Sequence, residues 1–269
     1  MGSRSCSALP LAALLAGAGV LSAQTPPWHV AQPERPTVAT HAYPVAPGVL
    51  EIEAGVQVFR PDGYSETDAP VVLKFGAARG LQVEASWGWT RTRTAGEAPV
   101  SGVTDLTIAP KVPLLHNAPV LANFSVQPAL KLPTGSLARG TGTGTTDVGL
   151  LLISSRTLGR VSVDLNAGIT RRSGDGSNAP RTATFLTFSS GYDLGHSWGW
   201  VLELFSYPGT AGAAGKSPQV GLLTGPTLTL RPWLVLDLGV VANVEGFPGN
   251  SVYAGVTWNV GRIHGWPGS

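Results

Sequence analysis

The amino-acid sequence predicts an all-β fold, an antiparallel up-and-down transmembrane β-barrel of about twelve strands, and three observations carry that prediction. The first is a two-residue hydrophobic period. In Gly159 to Arg171, Val161, Val163, Leu165, Ala167 and Ile169 alternate with Ser162, Asp164, Asn166, Gly168 and Thr170, which puts the two sets on opposite faces of an extended strand. A run of about 9 to 11 such residues, tilted, crosses the hydrocarbon core of a bilayer. The second is composition. Charged residues make up only 13% of the 269 residues, beside 35 glycines and 22 prolines, against roughly 25% charged in an ordinary soluble domain. The third is loop length, because the connections alternate long and short from the first strand to the last. Short turns at one end and longer loops at the other, with an even strand number, mark outer-membrane barrels. A soluble sandwich or propeller also has many short strands, but predicts neither this asymmetry nor strands of uniform length.

Met1 to Ala23 reads as a secretory signal peptide, with Arg4, an apolar core from Leu9 to Val20 and a small-residue site at Leu21-Ser22-Ala23. The apolar core is too short for a spanning helix. Cys6 lies inside this segment and is the one cysteine of the chain, so the mature protein has no disulfide, Cys-ligated zinc or thiol chemistry. Residues 24–47 are proline-rich (Pro26, Pro27, Pro33, Pro36, Pro44, Pro47) and follow neither period, which makes them a leader rather than a strand. A segment too polar and too broken for the wall, placed just before the barrel, is expected to fold into the lumen as a plug.

The barrel is expected over 48–263. Leu50 to Val58 alternates and is followed by the polar stretch RPDGYSETDA, read as a loop; Pro70 to Ala78 turns at Arg79-Gly80 into Leu81 to Arg91, whose Trp87 and Trp89 suit a membrane interface. Val103 to Val112 and Val120 to Leu132 follow, then Asp147 to Ser155, the strand described above, Arg181 to Leu194, Ser197 to Tyr207, Val220 to Leu230, Trp233 to Val244 and Val252 to Ile263. Residues 264–269 form a tail. Pro110, Pro128 and Pro226 fall inside strands, where a missing N–H predicts bulges.

These segments also resemble a known family. ERPTVATHAYPVAPGVLEIEAGV, VVLKFGAARGLQVEASWGW, DLTIAPKVPLL, PALKLPTG and WVLELF, in this order, are similar to the outer-membrane proteins grouped as the putative MetA-pathway of phenol degradation family. The resemblance implies a barrel with a transport role and brings no binding residues with it.

Function classes narrow accordingly. Net charge is +2 with the basic residues scattered, so the footprint of a nucleic-acid binder is missing. Barrel enzymes with a rim histidine are disfavoured, because His29, His41, His116, His196 and His264 all fall in the leader, short turns or tail. No cofactor is expected. No two histidines have metal-ligand spacing, and Asp175 and Asn178 in RSGDGSN are ordinary turn chemistry. GTGTGTTD lacks the lysine of a phosphate loop. The residues that remain are charges on the non-lipid phase: Glu51, Glu53, Lys74, Glu84, Asp105, Lys111, Lys131, Arg160, Asp164, Glu203 and Asp237. They are expected to pair across the lumen, since buried charges need partners, or to line a solute path. The expected partners are outer-membrane lipid and small hydrophobic or aromatic solutes. The expectation is a channel or transporter-like barrel, with a closed-lumen structural or surface-interaction barrel as the alternative.

Overall fold

The structure, a computed structural model, describes residues 28–173, 181–208, 218–246 and 249–266; the signal-peptide segment lies outside them. Thirteen strand segments follow one another: β1 (Val49–Phe59), β2 (Tyr64–Ala78), β3 (Leu81–Thr94), β4 (Val100–Val103), β5 (Leu106–Ala118), β6 (Ala122–Leu132), β7 (Asp147–Leu158), β8 (Val161–Arg172), β9 (Thr182–Gly195), β10 (Trp198–Tyr207), β11 (Gln219–Arg231), β12 (Leu234–Glu245) and β13 (Ser251–Arg262). Neighbours along the chain pair antiparallel, except that β4 and β5 both pair with β3, and β1 pairs with β13 from Val49 opposite Arg262 to Phe59 opposite Ser251. That last pairing closes the sheet, which removes the exposed edges a lipid-embedded sheet cannot tolerate.

The barrel has twelve staves, because β4 and β5 make one. Trp89 of β3 faces Val103 of β4 and Ser86 faces Thr107 of β5. Three steps on β3 therefore match four on its partner, and the extra residue is a bulge at Thr104–Asp105. Among the described residues the only helical piece is a 3₁₀ turn at Leu137–Arg139.

The two-residue period is realised as lipid face and lumen face. On β8, Leu165 and Ile169 are about half exposed while Asn166 between them is buried. On β10, Trp200, Leu202 and Leu204 point out, and Glu203 is fully buried. This inverts the polarity of a soluble core, as a transmembrane barrel requires. Tyr192, Trp198, Trp200, Trp233 and Trp258 stay exposed near the ends of their strands and form an aromatic girdle toward the short-turn end. In the tail, the Trp266 indole donates to the Ala77 carbonyl at 2.9 Å and meets Phe75 edge-on at 4.6 Å.

Loop asymmetry holds, with turns at 79–80, 119–121, 159–160, 196–197 and 232–233 at one end and longer connections at the other. Two expectations are corrected. SETDA is strand, not loop: Ser65 to Ala69 pair with Arg93 to Trp89, because the β2–β3 hairpin continues past the apolar band, where polar side chains carry no alternation to read. The prolines make no bulges either. Pro128 sits opposite Leu150 in an unbroken ladder. Pro110 pairs with Val83, and Pro226 with Trp200, without a register shift. Pro110 and Pro226 instead interrupt pairing with the strand on the other side, and register resumes in phase beyond them; the absent N–H breaks the ladder locally without inserting a residue.

Candidate functional site: the barrel interior

Residues 28–48 run inside the barrel and return to the same end. Asn259 of β13 donates to the carbonyls of Trp28 and Val30, and Ala31 N–H donates to Pro232 O in a short turn. The segment then climbs past β1 and β12. Gln32 N–H donates to Glu51 and Glu34 N–H to Glu53, each at 2.7 Å, and the Arg35 guanidinium stands 3.6 Å from Asp237. At the top, Val38 and Ala39 donate their N–H groups to the two oxygens of Glu203, each at 2.7 Å. Thr40 exchanges backbone bonds with the Asn166 amide, Ala42 with Ser155 and Ser125, and Val45 N–H reaches Gln82 on the way down. Gly48 N–H closes on Gly76 O.

The physical reason for this arrangement is backbone satisfaction. Pro33, Pro36, Pro44 and Pro47 cannot sustain a ladder, yet buried N–H groups need acceptors. Lumen-facing carboxylates, amides and hydroxyls of the wall supply them one at a time. Glu203 sits in mid-strand on β10, so the segment fills the short-turn half of the interior.

Inside that half lies a buried ion cluster. Lys74, fully buried, contacts Glu51 at 2.6 Å, Glu53 at 2.7 Å and Glu34 at 3.9 Å, and donates to Gln32 O at 2.6 Å. Lys111, also fully buried, pairs with Glu34 and donates to Thr40 Oγ1 at 2.7 Å. Burial would raise the Glu34 carboxyl, but Lys111 and Lys74 beside it hold it below the usual carboxylate range. Burial lowers His41 to about 4, so its ring is neutral: Nδ1 accepts from Tyr43 N–H and Nε2 faces Gln32 O.

The sequence-predicted residues divide into groups. Glu51, Glu53, Lys74 and Lys111 meet in the ion cluster with Glu34. Glu203 and Asp237 address the leader directly. Glu84 accepts from Gln127 at 3.0 Å, and Asp164 accepts from Ser155 at 2.5 Å. Asp105 and Lys131 lie elsewhere, at the long-loop end. Lys131 bridges Asp105 at 3.2 Å and Asp147 at 2.8 Å, and Asp105 accepts from the N–H groups of Gly135 and Thr143. That second cluster fastens the loop 133–146 to the bulge between β4 and β5. Arg160 is a correction. It stands in the β7–β8 turn, exposed, with its guanidinium 5.5 Å from the centre of the Tyr192 ring on the lipid face, because strand alternation no longer governs a turn residue beside Gly159 at φ +62.

Several interior residues escaped the sequence reading. Glu34, Arg35 and His41 lie in a segment without period; Glu66 and Asp68 were assigned to a loop; Asn166, Ser125, Ser155 and Gln82 lie in predicted strands, but their uncharged side chains gave no reason to single them out.

Above the leader the lumen changes character. Phe205, Leu223 and Tyr253 form a buried apolar cluster, joined by half-buried Phe185, Val201, Tyr207 and Val241. The Phe185 and Tyr207 rings lie 5.3 Å apart. The interior is thus polar and filled below, and above it is aromatic on the side of β9 to β13 and charged at Asp105, Lys131 and Asp147.

A family model described as "Putative MetA-pathway of phenol degradation" matches residues 34–258. The chain belongs to this family. The match takes in Glu34 and the leader as well as the wall. No curated protein sequence matches the chain. Among solved structures, the COG4313 outer membrane channel from Pseudomonas putida F1 is 15% identical, with 80% of this chain and 96% of that one covered and a TM-score of 0.62. The CymD monoaromatic hydrocarbon channel is 10% identical over 82% of this chain and 90% of its own, at a TM-score of 0.46. The KdgM porin in complex with disordered oligogalacturonate is 11% identical over 78% and 98%, also at 0.46. The first of these shares the barrel fold at this level. Family and fold together place the chain in the bacterial outer membrane.

Proposed function

We propose that this family member is an outer-membrane channel for small hydrophobic or aromatic solutes, with residues 28–48 as a plug in its periplasmic half. One observation carries the reading: the leader is held by single side chains of many strands rather than by a ladder of its own. Bonds of that kind can be released without breaking the barrel wall. The aromatic surface formed by Phe205, Leu223, Tyr253 and their neighbours supports an apolar cargo, and so does the phenol-degradation name of the family. The reading is non-enzymatic, as passage needs no reacting group and every histidine of the chain lies in the leader, the short-turn end or the tail.

Single-channel conductance in planar bilayers tests it, comparing the mature chain with a chain that starts at Gly48. A mature chain that is closed or flickering beside a truncated chain that conducts steadily supports a plugged channel. If neither conducts although both insert, the closed-lumen barrel is the better reading.

A further inference from the structure

Buried side-chain atoms without hydrogen-bond partners are few in folded proteins, and among the described residues six of the eight gather at one strand, Glu51 Oε1 and Gln82 Nε2 being the other two. Tyr253 Oη, Thr257 Oγ1, Asn259 Oδ1 and Arg262 Nε lack partners, and all four belong to β13. Two more lie against the same strand. Asp237 Oδ1 accepts no hydrogen bond beside Gly255, its cross-strand neighbour, and meets the Arg35 guanidinium only as an ion pair at 3.6 Å. Arg35 Nε is unpartnered as well, and the guanidinium is pressed on the paired glycines Gly55 and Gly255, where any Cβ would collide with it.

These atoms form a strip. It starts at the aromatic cluster, where Tyr253 lies flat across Gly225 and Gly239; a Cβ at Gly225 would stand 2.8 Å from the Tyr253 hydroxyl. It runs down β13 between the wall and the rising limb of the leader, and ends near the short turns, where Arg262 stacks over Trp28 at 5.6 Å. A phenylalanine at 253 or a valine at 257 would fill nearly the same space without an unpaired hydroxyl, which is unfavourable when dry.

Resting on the channel reading above, we propose that the β13 strip is the solute-binding track, and that its cargo is a neutral molecule with an aromatic or apolar body and one hydrogen-bonding group. The body lies on Phe205, Tyr207 and Tyr253, and the polar group exchanges hydrogen bonds with Tyr253 Oη, Asp237 Oδ1 and Thr257 Oγ1 in turn. Carboxylates are refused at the Tyr253 end, because the Arg35 charge is already matched by Asp237 and Glu203 is held only by N–H and hydroxyl donors, with no cation beside it among the described residues.

The test is ¹⁹F NMR binding to the mature chain folded in detergent, referenced to empty micelles, with 4-fluorophenol, fluorobenzene and 4-fluorobenzoate as probes. The expected result is a three- to tenfold preference for 4-fluorophenol over fluorobenzene, roughly the value of one hydrogen bond, and no binding of 4-fluorobenzoate. Tyr253→Phe and Thr257→Val each reduce that preference toward one while the barrel keeps its heat-modifiable mobility. Unchanged preference in both folded variants overturns the track, and binding of 4-fluorobenzoate as tight as that of 4-fluorophenol overturns the cargo class. The conductance of the chain starting at Gly48 separates the two levels: conduction without a binding preference sinks the track alone, and a preference without conduction sinks the channel reading alone.

Discussion

Glu203 is the point at which the proposed plug can be weakened with least damage to the wall. Its two oxygens accept from Val38 and Ala39 N–H at 2.7 Å each, and a third bond comes from Thr187 Oγ1 at 2.5 Å. Glu203→Gln keeps the shape but turns one acceptor into a donor that faces a buried N–H. A charge-assisted bond of about 1.5–3 kcal/mol is lost and an unpaired N–H of about 1–3 kcal/mol is left, offset where the amide tilts toward another acceptor. A net cost of about 2–4 kcal/mol falls only on the plugged state, so the ratio of open to closed rises roughly 30- to 1000-fold at 1.4 kcal/mol per decade. The assay is open probability in planar bilayers for the mature chain, Glu203→Gln and the chain starting at Gly48. The variant is expected to reach the conductance of the truncated chain in longer openings than the parent. An open probability equal to the parent's, beside a truncated chain that conducts steadily, would refute the idea that these bonds hold the plug.

Three further outcomes follow from the same geometry. Lys74→Met strips the fully buried carboxylates Glu51 and Glu53 of their shared cation and is expected to cost about 3–5 kcal/mol in urea unfolding from micelles, with Glu51→Gln and Glu53→Gln together restoring most of it. Leu238→Arg, on the lipid face in mid-strand, is expected to cost about 2–4 kcal/mol in equilibrium folding into bilayers. His41 is buried neutral in the plug with its pKa lowered to about 4. A depressed base favours the plugged state fully above its free pKa, about 6.5, and loses that contribution as pH falls toward 4. Open probability is therefore expected to rise over that window, and to rise less in His41→Gln.

How far the sequence could be read follows from what a two-residue period reports. It reports faces, so the alternation of Leu165, Asn166, Ala167 and Ile169 already separates lipid from lumen, and loop lengths add the strand count and the polarity of the two ends. It does not report where a strand leaves the membrane. Ser65 to Ala69 continue β2 beyond its apolar run, where Ser65, Glu66, Thr67 and Asp68 are polar on both faces, and so read as a loop. Nor does it report bulges: Thr104–Asp105 shifts register by one residue, and nothing in VSGVTDL marks it. Arg160 failed for a related reason, since a strict period carried one residue too far puts a turn side chain in the lumen.

The candidate site was half legible, and the missing half is a single segment. Eleven charged residues were assigned to the lumen because they occupy the inward phase, with pairing across the lumen or a solute path as the expected outcomes. Wall charges alone leave most of them short of partners. Among the described residues, Lys74 meets Glu51 and Glu53, but the one carboxylate that Lys111 meets is the leader's Glu34, and Glu203 meets no cation. A carboxylate on the inward phase with no cation on the strands beside it therefore points to something else in the barrel. The chain has one segment that is unable to join the wall and full of backbone N–H groups in need of acceptors. On that reasoning the proline-rich leader and the surplus of inward carboxylates are two halves of one signal, and the polar groups left over after they are matched, the hydroxyls of Tyr253 and Thr257 among them, are the ones without a hydrogen-bond partner among the described residues.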